Sequence, residues 1–212
     1  MRKLLLALLL LFGQCRLSYA AIACPNTTGL LTASNVTSTS TNLGWSPTVG
    51  NHLFVALSGY QAGQFVLSSV SDNQAGGGNT YTIDAQQANG TTAIVAASIT
   101  SAKVTASSGT FTVTLTSDGA GSYMSYSITE CSGVAATSWL DKTGTNSASA
   151  APGANTATVT ASGANSQANE LVVAVMGPYT FSTNLHIGTP TASYTETFVN
   201  QNGAAIVAGE GA

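Results

Sequence analysis

The chain has 212 residues, of which 44% are hydrophobic and only 6% charged, against about a quarter charged in an ordinary soluble domain. Its five basic residues are Arg2, Lys3, Arg16, Lys103 and Lys142, so no basic patch exists that could neutralise phosphates or anionic lipid. This composition excludes a nucleic-acid binder, a coiled coil and a charged disordered tail.

Met1-Arg2-Lys3 is a short positive segment, Leu4 to Phe12 an uninterrupted apolar run, and Ser18-Tyr19-Ala20 a small-x-small cleavage site. The pattern predicts a signal peptide over 1–20 and a secreted protein, extracellular or at the cell surface. As a helix the apolar run rises only about 14 Å, roughly half a bilayer core, and Arg16 stops it. No later stretch approaches 18 apolar residues, the length a span needs, so the mature chain is expected to lack a membrane span. A cut after Ala23 is the alternative; it would leave Cys24 N-terminal as in a lipoprotein, but Ala21 stands where leucine is favoured. Loss of the leader leaves Lys103 and Lys142 against eight acidic residues, a mildly acidic mature chain. It also removes Cys15. In an oxidising compartment the remaining Cys24 and Cys131 most simply form a disulfide, which across so long a loop contributes about 4–5 kcal/mol in the chain-entropy model. Two buried free thiols are the alternative.

Residues 21–50 are rich in Ser, Thr and Asn and read as an N-terminal segment with a loosely packed first strand and a connector. Residues 51–212 read as one domain. No window keeps apolar residues at helical spacing for three turns, whereas short alternating runs recur between Gly, Asn, Asp and Ser clusters. The predicted strands are His52 to Tyr60, Gln64 to Ser71, Thr80 to Ala85, Thr92 to Thr100, Thr110 to Thr116, Ser122 to Cys131, Thr156 to Ala161, Glu170 to Met176 and Ser193 to Val199. In Thr110 to Thr116, Phe111, Val113 and Leu115 face the core while the threonines face water. Leu53 to Leu57 and Leu171 to Val175 are apolar on both faces, as in central strands. Strands at this spacing predict an all-β, two-layer antiparallel β-sandwich of immunoglobulin-like or jelly-roll type. Gly203 to Gly209 reads as a strand without a hairpin partner. Either the reading frame continues beyond Ala212, or the last sheet has an open edge able to add a strand from another copy or a surface protein.

The sites available for chemistry are few. Asp141-Lys142-Thr143-Gly144-Thr145 resembles the phosphorylated motif of P-type ATPases, but no Rossmann-like domain, acidic Mg²⁺ ligands or membrane helices accompany it, and a polar turn is expected instead. Only His52 and His186 could act as the usual base of a hydrolase, and no Gly-x-Ser-x-Gly elbow occurs. His52 is expected at an exposed strand edge and His186 as a partly buried strand residue. Glu130 and Glu170 lie at strand ends without marked spacing for a glycosidase pair. Zinc spacing is absent. Asp72, Asn73 and Asn79 offer oxygen ligands in a Gly-rich turn as a candidate Ca²⁺ site, with a plain hairpin loop as the simpler expectation; no other cofactor is implied. Among the aromatic residues, Trp139 and Tyr123 are the candidate sugar-stacking surface. Alternation puts Met124, Tyr126 and Ile128 on one face of their strand and Tyr123 on the other. The Thr ladder at 110–116 is similar to the flat arrays of ice-binding proteins, but exposed Thr also suits any strand. Sequons stand at Asn26, Asn35 and Asn89.

Several phrases in order carry a resemblance over roughly residues 50–210. They are Gly50-Asn51-His52-Leu53-Phe54-Val55-Ala56-Leu57, Val70-Ser71-Asp72 leading into Gly78-Asn79-Thr80-Tyr81-Thr82, Ile128-Thr129-Glu130-Cys131-Ser132-Gly133-Val134, Leu140-Asp141 and Asn169-Glu170-Leu171-Val172-Val173. Together they resemble a loosely defined family of bacterial extracellular and phage-associated β-sandwich modules. The chain departs from that pattern at Cys131, where an aromatic is more usual, and at Gly76 and Gly77, which widen a turn. The resemblance implies a sandwich in a large surface or secreted protein, with no known catalytic residues. The expected function is therefore non-catalytic, structural or adhesive, in an extracellular or surface assembly. A carbohydrate-binding module engaging polysaccharide is the alternative, and a secreted hydrolase the third reading.

Overall fold

The computed structural model describes residues 21–61, 63–88, 95–146, 162–163, 171–175, 196–199 and 205–207. The leader expected over 1–20, the strand expected at Thr156–Ala161, and His186 lie outside the described residues. Described elements are strands only: β1 (Ala23–Thr27), β2 (Leu31–Val36), β3 (Ser38–Asn42), β4 (His52–Tyr60), β5 (Leu67–Asp72), β6 (Tyr81–Ala88), β7 (Val95–Lys103), β8 (Thr112–Ser117), β9 (Ser122–Ser132), β10 (Glu196–Val199) and β11 (Ala205–Val207). No helix among the described residues is long and apolar enough to cross a membrane.

Two antiparallel sheets pack face to face. The larger runs β1-β9-β4-β7-β6, with β2 also on β9, and the smaller runs β3-β8-β5. β1 and β2 lie end to end along one edge of β9: Thr27 opposes Thr129, and after the turn at Gly29 (φ 67°) Leu31 opposes Tyr126. The chain then changes sheets at Thr37, whose carbonyl accepts from Ser117 N at 2.9 Å and Ser117 Oγ at 3.0 Å. Within residues 21–50 the chain thus forms three paired strands rather than one, followed by a connector from Leu43 to Asn51. The alternation of Thr and Ser with Leu31, Ala33, Val36 and Leu43 sends the apolar members onto the core, and both sheets gain an edge.

The core lies between the sheets. Leu53, Val55 and Leu57 of β4 and Met124, Tyr126 and Ile128 of β9 face Leu67, Val70, Val113 and Leu115 of the smaller sheet, with Phe65 and Phe111 filling between them. The alternation expected in β8 and β9 is present: Phe111, Val113 and Leu115 are buried and Tyr123 is exposed. Tyr126 reaches across the sandwich, its hydroxyl 2.6 Å from Thr41 Oγ1. Gly59, in the same row pattern, leaves the space into which Phe65 fits; a Cβ there would fall inside the Phe65 ring.

β4 is buried on both faces up to Tyr60, and the segment after β9 returns over the His52–Phe54 end of its outer face. Trp139 Nε1 donates to Ser101 Oγ at 3.1 Å and Lys103 Nζ to the Ala136 carbonyl at 3.3 Å. Cys24 and Cys131 form the expected disulfide, closing a separation of 107 residues and tying β1 to β9. Two expectations are corrected. Leu171 to Val175 are half-buried and make only an isolated bridge at Leu171, so five consecutive apolar residues there do not form a central strand. Ala205 to Val207 does have a partner: β11 pairs antiparallel with β10, Val199 opposite Ala205.

Candidate functional site

The polar groups that composition offered for chemistry are distributed over three places. The first is Glu130, on the inner face at the end of β9, opposite Leu53. Its carboxylate is fully buried. Oε1 accepts from the Thr48 backbone N at 2.8 Å and Asn51 Nδ2 at 2.6 Å, and Oε2 accepts from Asn26 Nδ2 at 2.8 Å. Burial alone would raise its pKa, but the hydrogen bonds from Thr48, Asn26 and Asn51 outweigh that and hold it below the ordinary value. The carboxylate clamps β1 and the β3–β4 loop onto β9 beside the disulfide. It also occupies the amide nitrogen of Asn26 that a glycan would need. The sequence reading missed this clamp, because its donors stand 79 to 104 residues away, in β1 and the β3–β4 loop, and no local spacing announces them.

The second place is the β5–β6 turn. It does bring Asp72, Asn73 and Asn79 close, but as a brace. Asp72 Oδ1 accepts from Gln74 N at 3.0 Å and Oδ2 from Asn79 Nδ2 at 2.8 Å, while both oxygens receive Asn79 N at 3.2 Å. Asn79 Oδ1 accepts from Thr105 N at 2.6 Å and Ala106 N at 2.9 Å. Asn73 Oδ1 accepts from Thr112 N at 2.9 Å. Each oxygen that could ligate Ca²⁺ therefore has an N–H pointed at it, the opposite polarity to a cation. Gly78 makes the wrap feasible: its φ is 80°, and a Cβ would stand 2.7 Å from Asp72 Oδ1. Among the described residues no group of three or more His, Cys, Asp or Glu could hold a metal.

The third place is the outer face of the larger sheet. His52, expected at an exposed edge, is fully buried on a central strand, and neither ring nitrogen has a hydrogen-bond partner. Its ring lies 5.0 Å from that of Trp139 and 6.3 Å from that of Phe54. Burial first, and then the charge of Lys103 opposite it, lowers its pKa to about 4. A neutral imidazole with no acid or hydroxyl on either nitrogen is not arranged as a general base. Burial also raises the pKa of nearby Asp84, partly offset by the Ser101 hydroxyl. Asp141 and Lys142 form an ion pair at 3.2 Å, and residues 139–146 around them form neither strand nor hydrogen-bonded turn.

Trp139 and Tyr123 are on this face but not together. Trp139 is half-buried against His52, whereas Tyr123 opposes Tyr60, eight residues along β4, or about 26 Å away at the rise of a strand. Tyr123 and Tyr60 are 47% and 38% exposed, with ring centroids 5.8 Å apart and planes at 65°. The partner of Tyr123 is therefore Tyr60. Alternation could place both on outer faces; the β4–β9 register needed to pair them could not be read locally.

The outer face of the smaller sheet carries no charge. Ser38, Thr116 and Ser69 form one row in register, and Ser40, Thr114 and Ser71 a second. Asn42 and Thr112 continue into a third, where Asn73 N bonds the Thr112 carbonyl at 3.1 Å. Ser40 Oγ and Thr114 Oγ1 are 2.8 Å apart. Comparisons with protein-family models, curated proteins and solved structures return no match for the chain.

Proposed function

We propose that the protein is a secreted, non-catalytic β-sandwich of immunoglobulin-like or jelly-roll type with a structural or adhesive role in an extracellular or surface assembly, akin to the bacterial extracellular and phage-associated modules it resembles. The observation that carries this reading is the uncharged face of the smaller sheet, where rows of Ser, Thr and Asn stand in register across three strands. Such a face neither repels a second copy nor demands counter-ions, and its hydroxyls can exchange water for hydrogen bonds to a neighbour. The disulfide and the absence of a membrane-crossing helix among the described residues are compatible with export. A non-catalytic role is supported by the commitment of Glu130 and Asp72 to internal donors and by the unpartnered nitrogens of His52.

Sedimentation of the exported protein over a range of concentrations tests the reading. Concentration-dependent assembly that Thr114→Lys abolishes, with the melting temperature retained, supports it. A strictly monomeric protein at every concentration, or assembly indifferent to Thr114→Lys, contradicts it.

A further inference from the structure

We propose that the corner formed by Tyr60 and Tyr123 binds a single pyranose ring of a neutral, soluble glycan. This site is on the outer face of the larger sheet, away from the hydroxyl face of the smaller one, and stands independently of the assembly role. Three observations lead to it. The first is the aromatic geometry. The two tyrosines oppose each other directly in the β4–β9 register and remain substantially exposed. An exposed ring pair on two neighbouring inner strands of a sheet is held by the strands themselves, so little order has to be gained on binding. With planes at 65° the rings cannot both lie on one flat surface. One ring offers its face to the C–H side of a sugar while the other closes the side of the recess. That shape suits one sugar unit of a flexible chain and disfavours a crystalline polysaccharide, whose flat face calls for coplanar rings.

The second is the hydroxyl supply. One row further along the same face Ser58 opposes Ser125, and in the next row Ala56 opposes Ser127. Ser125 is partly exposed beside the tyrosines, whereas Ser58 is 8% and Ser127 1% exposed, so of these serines only Ser125 faces a ligand. Rows repeat about every 7 Å along a strand, so the Ser125 hydroxyl falls within reach of a sugar seated on the tyrosines. The stacking surface thus has the two phenol hydroxyls and the Ser125 hydroxyl beside it, donors and acceptors of the kind that sugar hydroxyls require.

The third is charge, which selects the glycan class. Beyond Arg16 the chain holds only two basic residues. Lys103 opposes His52 at the far end of β4, and Lys142 is paired with Asp141. The nearest ionisable group to the corner along β9 is Asp118, in the turn before it. A uronate or sulfated sugar would find no lysine or arginine of the described residues here, so the ligand is uncharged.

Isothermal titration of the full exported protein with soluble gluco-, manno- and xylo-hexaoses tests this, alongside uronate hexamers and pull-down on crystalline cellulose and chitin. The expected result is saturable binding to at least one neutral hexaose. Tyr123→Ala and Tyr60→Ala should each weaken it at least about tenfold with the melting temperature retained, and Tyr123→Phe by no more than about threefold. Trp139→Ala should leave it unchanged. No saturable binding to any neutral hexaose overturns the proposal, as does equal affinity in Tyr123→Ala, preference for uronate hexamers, or retention on crystalline polymer without binding to its soluble fragments.

Discussion

Asn51 donates from Nδ2 to Glu130 Oε1 at 2.6 Å, across the boundary between the β3–β4 loop and the end of β9. Asn51 immediately precedes His52, and Glu130 immediately precedes Cys131, so the hydrogen-bonded pair on the inner face is backed by the buried histidine and the disulfide on the outer face. One end of the sandwich thereby gathers its buried carboxylate, its buried imidazole and its covalent cross-link.

Glu130→Ala removes the shared acceptor of three part-buried hydrogen bonds and should cost about 1–3 kcal/mol. Urea midpoints read this directly. A loss below about 1 kcal/mol would mean that solvent or rearrangement replaces the clamp.

Acid should weaken the fold in two windows. Burial holds the folded pKa of His52 at about 4, below the ordinary 6.5 of histidine. The unfolded chain therefore takes up a proton first, and stability should fall between about pH 6.5 and 4 by roughly 3 kcal/mol. Glu130, whose folded pKa is also lowered, contributes stability that is complete above its unfolded pKa and is lost as pH falls through the folded one. Urea midpoints taken from pH 7.5 to 3 should show a first decline that His52→Phe removes and a second that Glu130→Gln removes. A flat profile between pH 6.5 and 4.5 would contradict the buried neutral imidazole.

Calcium should not move the melting temperature, because the oxygens of Asp72 and Asn79 already accept N–H donors. Asp72→Ala should destabilise by about 2 kcal/mol with or without the ion. A rise in melting temperature on adding millimolar calcium would restore the cation reading.

Gly59→Ala should cost about 1–3 kcal/mol by forcing the Phe65 ring from its place, and Phe65→Leu should recover part of that loss. An Ala variant as stable as the parent would show that Phe65 packs elsewhere.

What could be read from the sequence was whatever depends on period. The two-residue repeat in Thr110 to Thr116 and Ser122 to Cys131 gave correct faces, and the apolar run from Leu53 to Leu57 marked a central strand. The same logic failed at Leu171 to Val175, where an apolar run states only that burial is favourable, not that a neighbouring strand is available to pair. It undervalued residues 23–42, because Thr- and Ser-rich strands at sheet edges carry few apolar residues. His52 was misplaced for a related reason: its burial comes from a segment more than eighty residues later, led by Trp139. Paired cysteines could be inferred from count and compartment. The Glu130 clamp and the Tyr60–Tyr123 corner could not, since both exist only once β9 is laid against β1 and β4 in register.

The most direct test of the account is the intact mass of the protein recovered outside an expressing bacterium, measured without reduction and after denaturation with a thiol reagent. The account predicts a chain beginning at Ala21, two hydrogens lighter than its reduced form and unlabelled by the reagent. A full-length chain retained in the cell, or an exported one with Cys24 and Cys131 both labelled, would contradict it.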